Sequence, residues 1–335
     1  MKVLNLTNPA FGLGQTFTRY LEPLLNSPRK PGLGKIANAF RAEMERRAGK
    51  TIVKSMPFIL HFEPTNLCNL KCPTCYTAKG WSAAPRGSVS FGDYRKVIDE
   101  LKGALVLVRL DGLGESFLNP DLFSMIRYTA RSGIASAIST NLTTFKPGDC
   151  EKVVDAGLDY LIISLDGATK ETYEKIRVGA DFERVISTVK EMVAAKKARK
   201  RRTPFIEIQF ILFEENAHEA KRVEKLARSL GIDRVLFKEA REGRLRETRE
   251  KSAETKPCYW LWYVMNVVWT GDLKACCTSG LASAYSFGNI IKNPVRTEWN
   301  NAAMQASRRL FTAEADRNAQ SLAGCKCLTC YKLNK

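Results

Sequence analysis

A parallel α/β fold is predicted, a partial (β/α)6 barrel of TIM-like type followed by a small cysteine-rich domain, and three observations predict it. From residue 56 onward, apolar runs of strand length alternate with amphipathic stretches of helical period, the rhythm of βα units. Six such units fit into about 185 residues, too few for the full eight-fold barrel of about 250. Beyond residue 256 the composition changes, and six of the ten cysteines lie there. The expected units are a basic N-terminal extension (1–55), the barrel (56–238), a charged linker (239–255) and the cysteine-rich domain (256–335). With 44% apolar and 26% charged residues the chain can bury a core, which excludes a disordered protein. There is no run of 18 apolar residues and no secretory n-region/h-region pattern, so a cytoplasmic protein is expected.

Taken in order, the extension carries Leu33, Ile36, Ala37, Phe40 and Met44 at helical spacing, with Lys35, Arg41, Arg46 and Arg47 elsewhere on the wheel. That is a basic amphipathic helix, and packing of its apolar stripe on the barrel is the first expectation. The first strand is predicted at 58–63. Its helix runs to about residue 101 behind a cap at Ser90 or Asp93. Strands at 104–110, 134–139, 160–165, 205–213 and 235–238 follow, with helices ending near residues 132, 156, 177, 199 and 230 between them. The stretch 239–255 is charged and lacks an apolar stripe, as a linker would.

The chemistry gathers where parallel barrels place it, on loops after strand C-termini. After the first strand comes Glu63-Pro-Thr-Asn-Leu-Cys68-Asn-Leu-Lys-Cys72-Pro-Thr-Cys75, three thiols in eight residues. Thiolates ligate iron-sulfur clusters and zinc, but structural zinc sites close with four protein ligands, and a cubane held by three keeps one iron open. Gly112-x-Gly114-Glu115 follows the second strand, Ser139-Thr-Asn141 the third and Ser164-Leu-Asp166-Gly167 the fourth, with Arg177 beyond. An ammonium group needs acceptors and close backbone approach, which an acid among glycines offers. A carboxylate is matched by a guanidinium. Asp166 could alternatively cap the helix that follows it. His61 and His218 give no evident acid/base pair. Cys150 falls on a helix and reads as a buried thiol.

This series resembles the radical S-adenosylmethionine (SAM) superfamily. The resemblance implies that Cys68, Cys72 and Cys75 hold a [4Fe-4S] cluster whose fourth iron is chelated by SAM. It further implies SAM contacts from Gly112, Gly114, Glu115, Ser139, Asn141, Ser164, Asp166 and Arg177, and an external one-electron reductant of flavodoxin or ferredoxin type. The family usually carries an aromatic residue immediately before the third cysteine. This chain has Thr74 there and Tyr76 after the cysteine.

In the last unit, Cys258-x12-Gly271-x4-Cys276 surrounds an aromatic-rich hairpin pattern with Thr270-Gly-Asp as its turn, and Cys325, Cys327 and Cys330 follow. This is similar to the family's SPASM domain in its shortened "twitch" form, which implies one auxiliary [4Fe-4S] cluster. The expected ligands are Cys258, Cys276, Cys327 and Cys330, with Cys325 or Cys277 as replacements. The implied activity is reductive cleavage of SAM to a 5′-deoxyadenosyl radical, hydrogen abstraction from a small molecule such as a sugar, alcohol or lipid precursor, and electron transfer through the auxiliary cluster. A peptide-modifying maturase is the alternative. An iron-sulfur electron carrier or a basic RNA-binding protein is the alternative of another class.

The net charge of +18, from 53 basic and 35 acidic residues, attracts anions. Residues 1–55 hold ten Lys/Arg against three Glu, and 196–202 hold six basic residues in seven. The second run has no interleaved aromatics, so nucleic acid is not expected as a partner. Contact of the N-terminal helix with anionic lipid at the inner membrane face is the remaining expectation for the first.

Overall fold

The structure is a computed structural model. It describes residues 23–75, 77–80, 84–240, 258–276, 284–312, 322, 325, 327 and 328. Eight strands form one sheet in the order β6-β5-β4-β3-β2-β1-β7-β8. These are β1 (Ile59–Phe62), β2 (Leu107–Arg109), β3 (Ala135–Thr140), β4 (Tyr160–Ser164), β5 (Phe205–Leu212), β6 (Arg234–Glu239), β7 (Val264–Val267) and β8 (Leu273–Lys274). All neighbours are parallel except the β7-β8 hairpin.

The helices are α1 (Leu33–Arg47), α2 (Phe91–Leu101), α3 (Leu122–Arg131), α4 (Asp149–Ala156), α5 (Lys170–Ile176), α6 (Phe182–Ala198), α7 (Ala220–Leu230), α8 (Trp260–Tyr263), α9 (Val295–Trp299) and α10 (Ala302–Arg309). Short polar side chains start several of them by accepting orphan backbone N–H groups. Ser90 accepts from Asp93 N, Thr169 from Thr172 N, Asp181 from Arg184 N and Asn301 from Met304 N. Thr169, and not Asp166, therefore caps the helix after β4.

Strands β1 to β6 lie where the apolar runs predict them, within a residue or two except for β2, which starts three residues later than expected. The hairpin of the cysteine-rich segment departs from expectation. It is not detached from the barrel, because β7 pairs in parallel register with β1 from Ile59↔Val264 to Phe62↔Val267. The sheet core is thus continuous across both segments, and Trp262 and Trp299 are fully buried in it. Arg308 stitches the seam. Its guanidinium, completely buried, donates to Leu261 O (2.9 Å), Thr51 O (2.9 Å) and Trp299 O (2.9 Å). Burial pulls its pKa down to about 9, and only backbone carbonyls and Asn300 Oδ1 meet its donors.

The N-terminal segment closes the other end of the barrel. Arg29 and Ser27 bind Asp159, just before β4, which also accepts from Ser136 N at 2.8 Å. Lys35 Nζ donates to Gly133 O ahead of β3, and Asn38 exchanges two hydrogen bonds with the backbone of Met56 ahead of β1. The apolar stripe of α1 does not supply this packing, contrary to expectation. Ala42 faces the protein, while Leu33 (86% exposed), Ile36 (50%), Phe40 (66%) and Met44 (50%) face solvent.

Candidate functional site

Phe62 packs edge-on against Tyr94 of α2, so alternation along β1 turns Phe62 toward the helices and His61 and Glu63 toward the barrel interior. The chain then leaves β1 into the thiol loop. The loops after β2 and β3 and the turn after α5 grip it. Glu115 N donates to Leu67 O (2.7 Å), Asn141 Nδ2 to Asn69 Oδ1 (3.2 Å), Asn69 Nδ2 to Thr143 Oγ1 (2.7 Å) and Lys71 N to Val178 O (2.9 Å). A turn closed by Cys75 N donating to Cys72 O (3.0 Å) brings the second and third thiols together. Cys72 is buried, and Cys68 and Cys75 are half-buried. Burial pushes the Cys68 and Cys72 thiols up, and the Arg177 guanidinium, hydrogen-bonded to Cys72, pulls the latter back.

The two glycines of the β2 turn are demanded by packing. A Cβ on Gly114 would stand 2.4 Å from Thr65 O and 2.5 Å from Leu67 O, both backbone of the thiol loop. A Cβ on Gly112 would meet the Glu63 side chain at 2.6 Å. Glu63 in turn accepts from Leu113 N (2.8 Å) and from Trp269 N (3.4 Å), so the β2 turn and the C-terminal hairpin hang on one buried carboxylate. Burial pushes its pKa up.

Glu115 is buried, which raises its pKa, and accepts from Asn141 N, Thr140 Oγ1 and Phe117 N. Its oxygens orient the turn after β3, where Leu142 adopts φ 60°, and one lone pair of Oε2 remains. Asp166 accepts from Ile211 N (2.7 Å) and holds Arg177 through Nε (2.7 Å) and Nη2 (2.5 Å). Ser139 and Ser164 make no side-chain hydrogen bond among the described residues. Tyr76 lies outside those residues.

One polar set escaped the sequence reading. Asn266 and Arg109 lie in register with His61 on either side and share its inward face. His61 Nε2 stands 2.6 Å from Asp111 Oδ1, His61 Nδ1 3.3 Å from Asn266 Oδ1, and Arg109 Nη2 2.5 Å from Asp111 Oδ2. Burial would raise the Asp111 pKa, but Arg109 and His61 together hold the carboxyl well below the usual carboxylate range. The only advance signal was strand alternation, which puts His61 inside. The partners come from strands that no spacing links to it.

At the C-terminal end, Cys258, Cys325 and Cys327 are buried and Cys276 is half-buried. Cys327 N donates to Cys325 Sγ at 3.4 Å. The Cys327 thiol is pushed up by Cys325, by burial and by the nearby Cys258 and Cys276, so four thiols converge. Cys325, expected only as a replacement ligand, belongs to this group. Cys277 and Cys330 lie outside the described residues. Cys150 is buried on α4 against Thr188 O, with its thiol pushed up by burial to about 12.

A parallel barrel whose first strand runs into a three-thiol loop, gripped by neighbouring loops, gathers three sulfur donors at one end of the sheet. The model of the radical SAM superfamily matches residues 62–234, just over half of the chain, and the model of an iron-sulfur cluster-binding domain, SPASM, matches 258–331. The chain belongs to the radical SAM superfamily. The radical SAM domain implies a [4Fe-4S] cluster with SAM in the barrel, and the SPASM domain implies auxiliary iron-sulfur binding in the C-terminal segment.

Among curated proteins it is 32% identical over 178 residues to the AdoMet-dependent heme synthase of Methanosarcina barkeri, which covers 52% of this chain and 48% of that protein. It is 30% identical over 141 residues to the mycofactocin maturase of Mycobacterium tuberculosis, covering 42% and 35%. The chain spans about half the length of such relatives, or less. Streptococcus suis SuiB, solved with precursor peptide SuiA, superposes with a TM-score of 0.64 at 14% identity over 97% of this chain and 85% of that one, a likeness of fold.

The residues present fit the barrel cofactors. Three sulfur donors share one loop, and a guanidinium lies against one of them to favour the thiolate.

Proposed function

We propose that Cys68, Cys72 and Cys75 hold the SAM-chelated [4Fe-4S] cluster, and that the enzyme abstracts a hydrogen atom from a small organic molecule. When bound, these cofactors supply the electron that cleaves SAM and the 5′-deoxyadenosyl radical that takes the hydrogen atom. This chain's residues bind and orient. Gly112, Gly114 and the remaining lone pair of Glu115 receive the SAM amino group. Arg177, aimed by Asp166, faces its carboxylate, and Ser139, Asn141 and Ser164 offer hydrogen bonds to its ribose. Cys258, Cys276 and Cys327 hold the auxiliary cluster together with Cys330 or Cys325. The C-terminal unit, taken as residues 256–335 after a 239–255 linker, serves electron transfer to or from the barrel unit at 56–238. A flavodoxin- or ferredoxin-like protein in the reducing cytoplasm provides the electron. All eight cysteines among the described residues are unbridged, as that compartment favours.

The observation that carries the reading is the convergence of four successive strand ends on the thiol loop. The buried His61-Asp111-Arg109-Asn266 set on the inner wall favours a small polar substrate. A peptide substrate is the second reading, supported by the likeness to the mycofactocin maturase and to SuiB with its peptide. Anaerobically reconstituted protein, reduced in the presence of SAM, should release 5′-deoxyadenosine. Deuterium transferred into it from labelled small molecules, and not from peptides, is the expected result. Bound zinc with little iron, or no SAM cleavage, would sink the cofactor reading.

A further inference from the structure

Helix α1 is mounted with its polar side inward. Asn38 is locked to Met56, and Glu45 accepts from Lys54 N (2.8 Å), Ser55 N (3.1 Å) and Ser55 Oγ (2.6 Å). Glu43 accepts from Arg46, Arg47 and the Tyr263 hydroxyl. These bonds fix the helix about its axis, so the exposure of Leu33, Ile36, Phe40 and Met44 is imposed by the docking and is not a matter of fraying. Ile52 (65% exposed) and Leu25 (49%) extend the apolar surface.

The charge around the stripe is predominantly basic. Arg41 stands on one flank by helical angle, Arg47 continues the stripe at its C-terminal end while bound to Glu43, and Lys30, Lys50 and Lys54 are exposed nearby. Among described residues 23–55 there are eight Lys/Arg and two carboxylates, Glu43 and Glu45, both engaged as above. An exposed apolar stripe among basic side chains is the form of a helix that lies in a lipid interface. No helix among the described residues is long and apolar enough to cross a bilayer, so the contact would be peripheral.

We propose that the α1 face is a docking surface for an anionic lipid bilayer. The helix lies under the N-terminal ends of β1 and β3, while the thiol loop follows the C-terminal end of β1, so a docked membrane leaves the mouth of the barrel open. The surface acts independently of the reaction and of its substrate. Insertion of four apolar side chains supplies the short-range term, and basic residues near the surface add about 1 kcal/mol each at low salt.

The test is co-sedimentation of the full chain with phosphatidylglycerol-containing and pure phosphatidylcholine vesicles at low and physiological salt. Wild type is expected on the anionic vesicles, with binding that weakens as salt rises. I36E/F40E is expected to lose roughly 100-fold in partitioning, R41E/R47E roughly 10-fold or more, and Lys225→Glu on the exposed face of α7 nothing. Thermal melts of the variants establish that they fold. Absence of anionic-vesicle binding overturns the proposal, as does binding that I36E/F40E leaves intact. Stripe-dependent self-association, or stripe-dependent capture of an acidic protein, in the absence of lipid binding would assign the face to those partners and overturn it equally.

Discussion

The two thiol groups of this protein are built on opposite plans. Cys68, Cys72 and Cys75 sit in one short loop on the barrel rim, Cys72 buried and the other two half-buried, and the loop is held by hydrogen bonds with the loops after β2 and β3 and with the turn after α5. Cys258, Cys276, Cys325 and Cys327 come from segments nearly 70 residues apart and converge behind an aromatic hairpin, three of them buried. The first plan surrounds its thiols with hydrogen-bonding groups at the end of the barrel. The second surrounds its thiols with core. A cluster on the rim can therefore meet a ligand, and a cluster behind the hairpin is suited to passing electrons.

The largest effect should come from removing the rim thiols. Replacing Cys68, Cys72 and Cys75 together by Ala is expected to leave about half of about eight irons and to abolish SAM cleavage, measured by iron assay and by 5′-deoxyadenosine formation. Retained cleavage would erase the distinction between the two sites. Gly114→Ala asks whether the grip on the loop matters. Its Cβ would collide with two backbone oxygens, so about 1–3 kcal/mol of stability and most rim-cluster iron should be lost, as read by denaturant melts and iron content.

The reverse experiment is Cys327→Ala, which should lose the second cluster while SAM cleavage continues uncoupled from product. Full turnover with both clusters would remove Cys327 from the ligand set and leave Cys325 in its place. A smaller effect is expected of Arg177→Lys. A point charge replaces a fork held at two positions by Asp166, and SAM affinity should fall about 10-fold with the C-terminal cluster untouched.

The last prediction concerns the inner wall of the barrel. Asp111 has a folded pKa depressed by Arg109 and His61. Its contribution to stability is therefore present above the unfolded-state value of about 4 and is lost as pH falls through the lower folded value. Asp111→Asn should cost about 1–3 kcal/mol at neutral pH and flatten the acid limb of the stability profile, measured by melts between about pH 3 and 7. An unchanged acid limb would mean that the ion pairs contribute nothing.

Much of this was legible beforehand because it is local. Strands β1 to β6, the cap at Ser90 and the turn at Thr270-Gly271-Asp272 follow from periodicity and from residues with special backbone preferences. The thiol loop is local too, since all three sulfurs fall within eight residues. The polar contacts at the site were harder to read. Gly112 and Gly114 are required by Glu63 and the thiol loop, not simply by a tight turn, and Asp166 positions Arg177 where a cap was an equal reading.

What the amino-acid sequence determined by itself is a set of faces and spacings: which residues of each strand and helix lie together, and which thiols can share a loop. What each face meets was decided only by tertiary structure. The docking of β7 on β1, the meeting of Cys327 with Cys258 and the pairing of His61 with Asp111 join residues tens to about two hundred positions apart. Helix α1 makes the same point most clearly. Its 3.6-residue period defines an apolar stripe, but long-range bonds from Asn38 and Tyr263 and short ones from Glu45 turn that stripe to solvent. Periodicity specifies the direction of a side chain relative to its own helix axis, and only the contacts that orient the axis specify whether it points to core or to water.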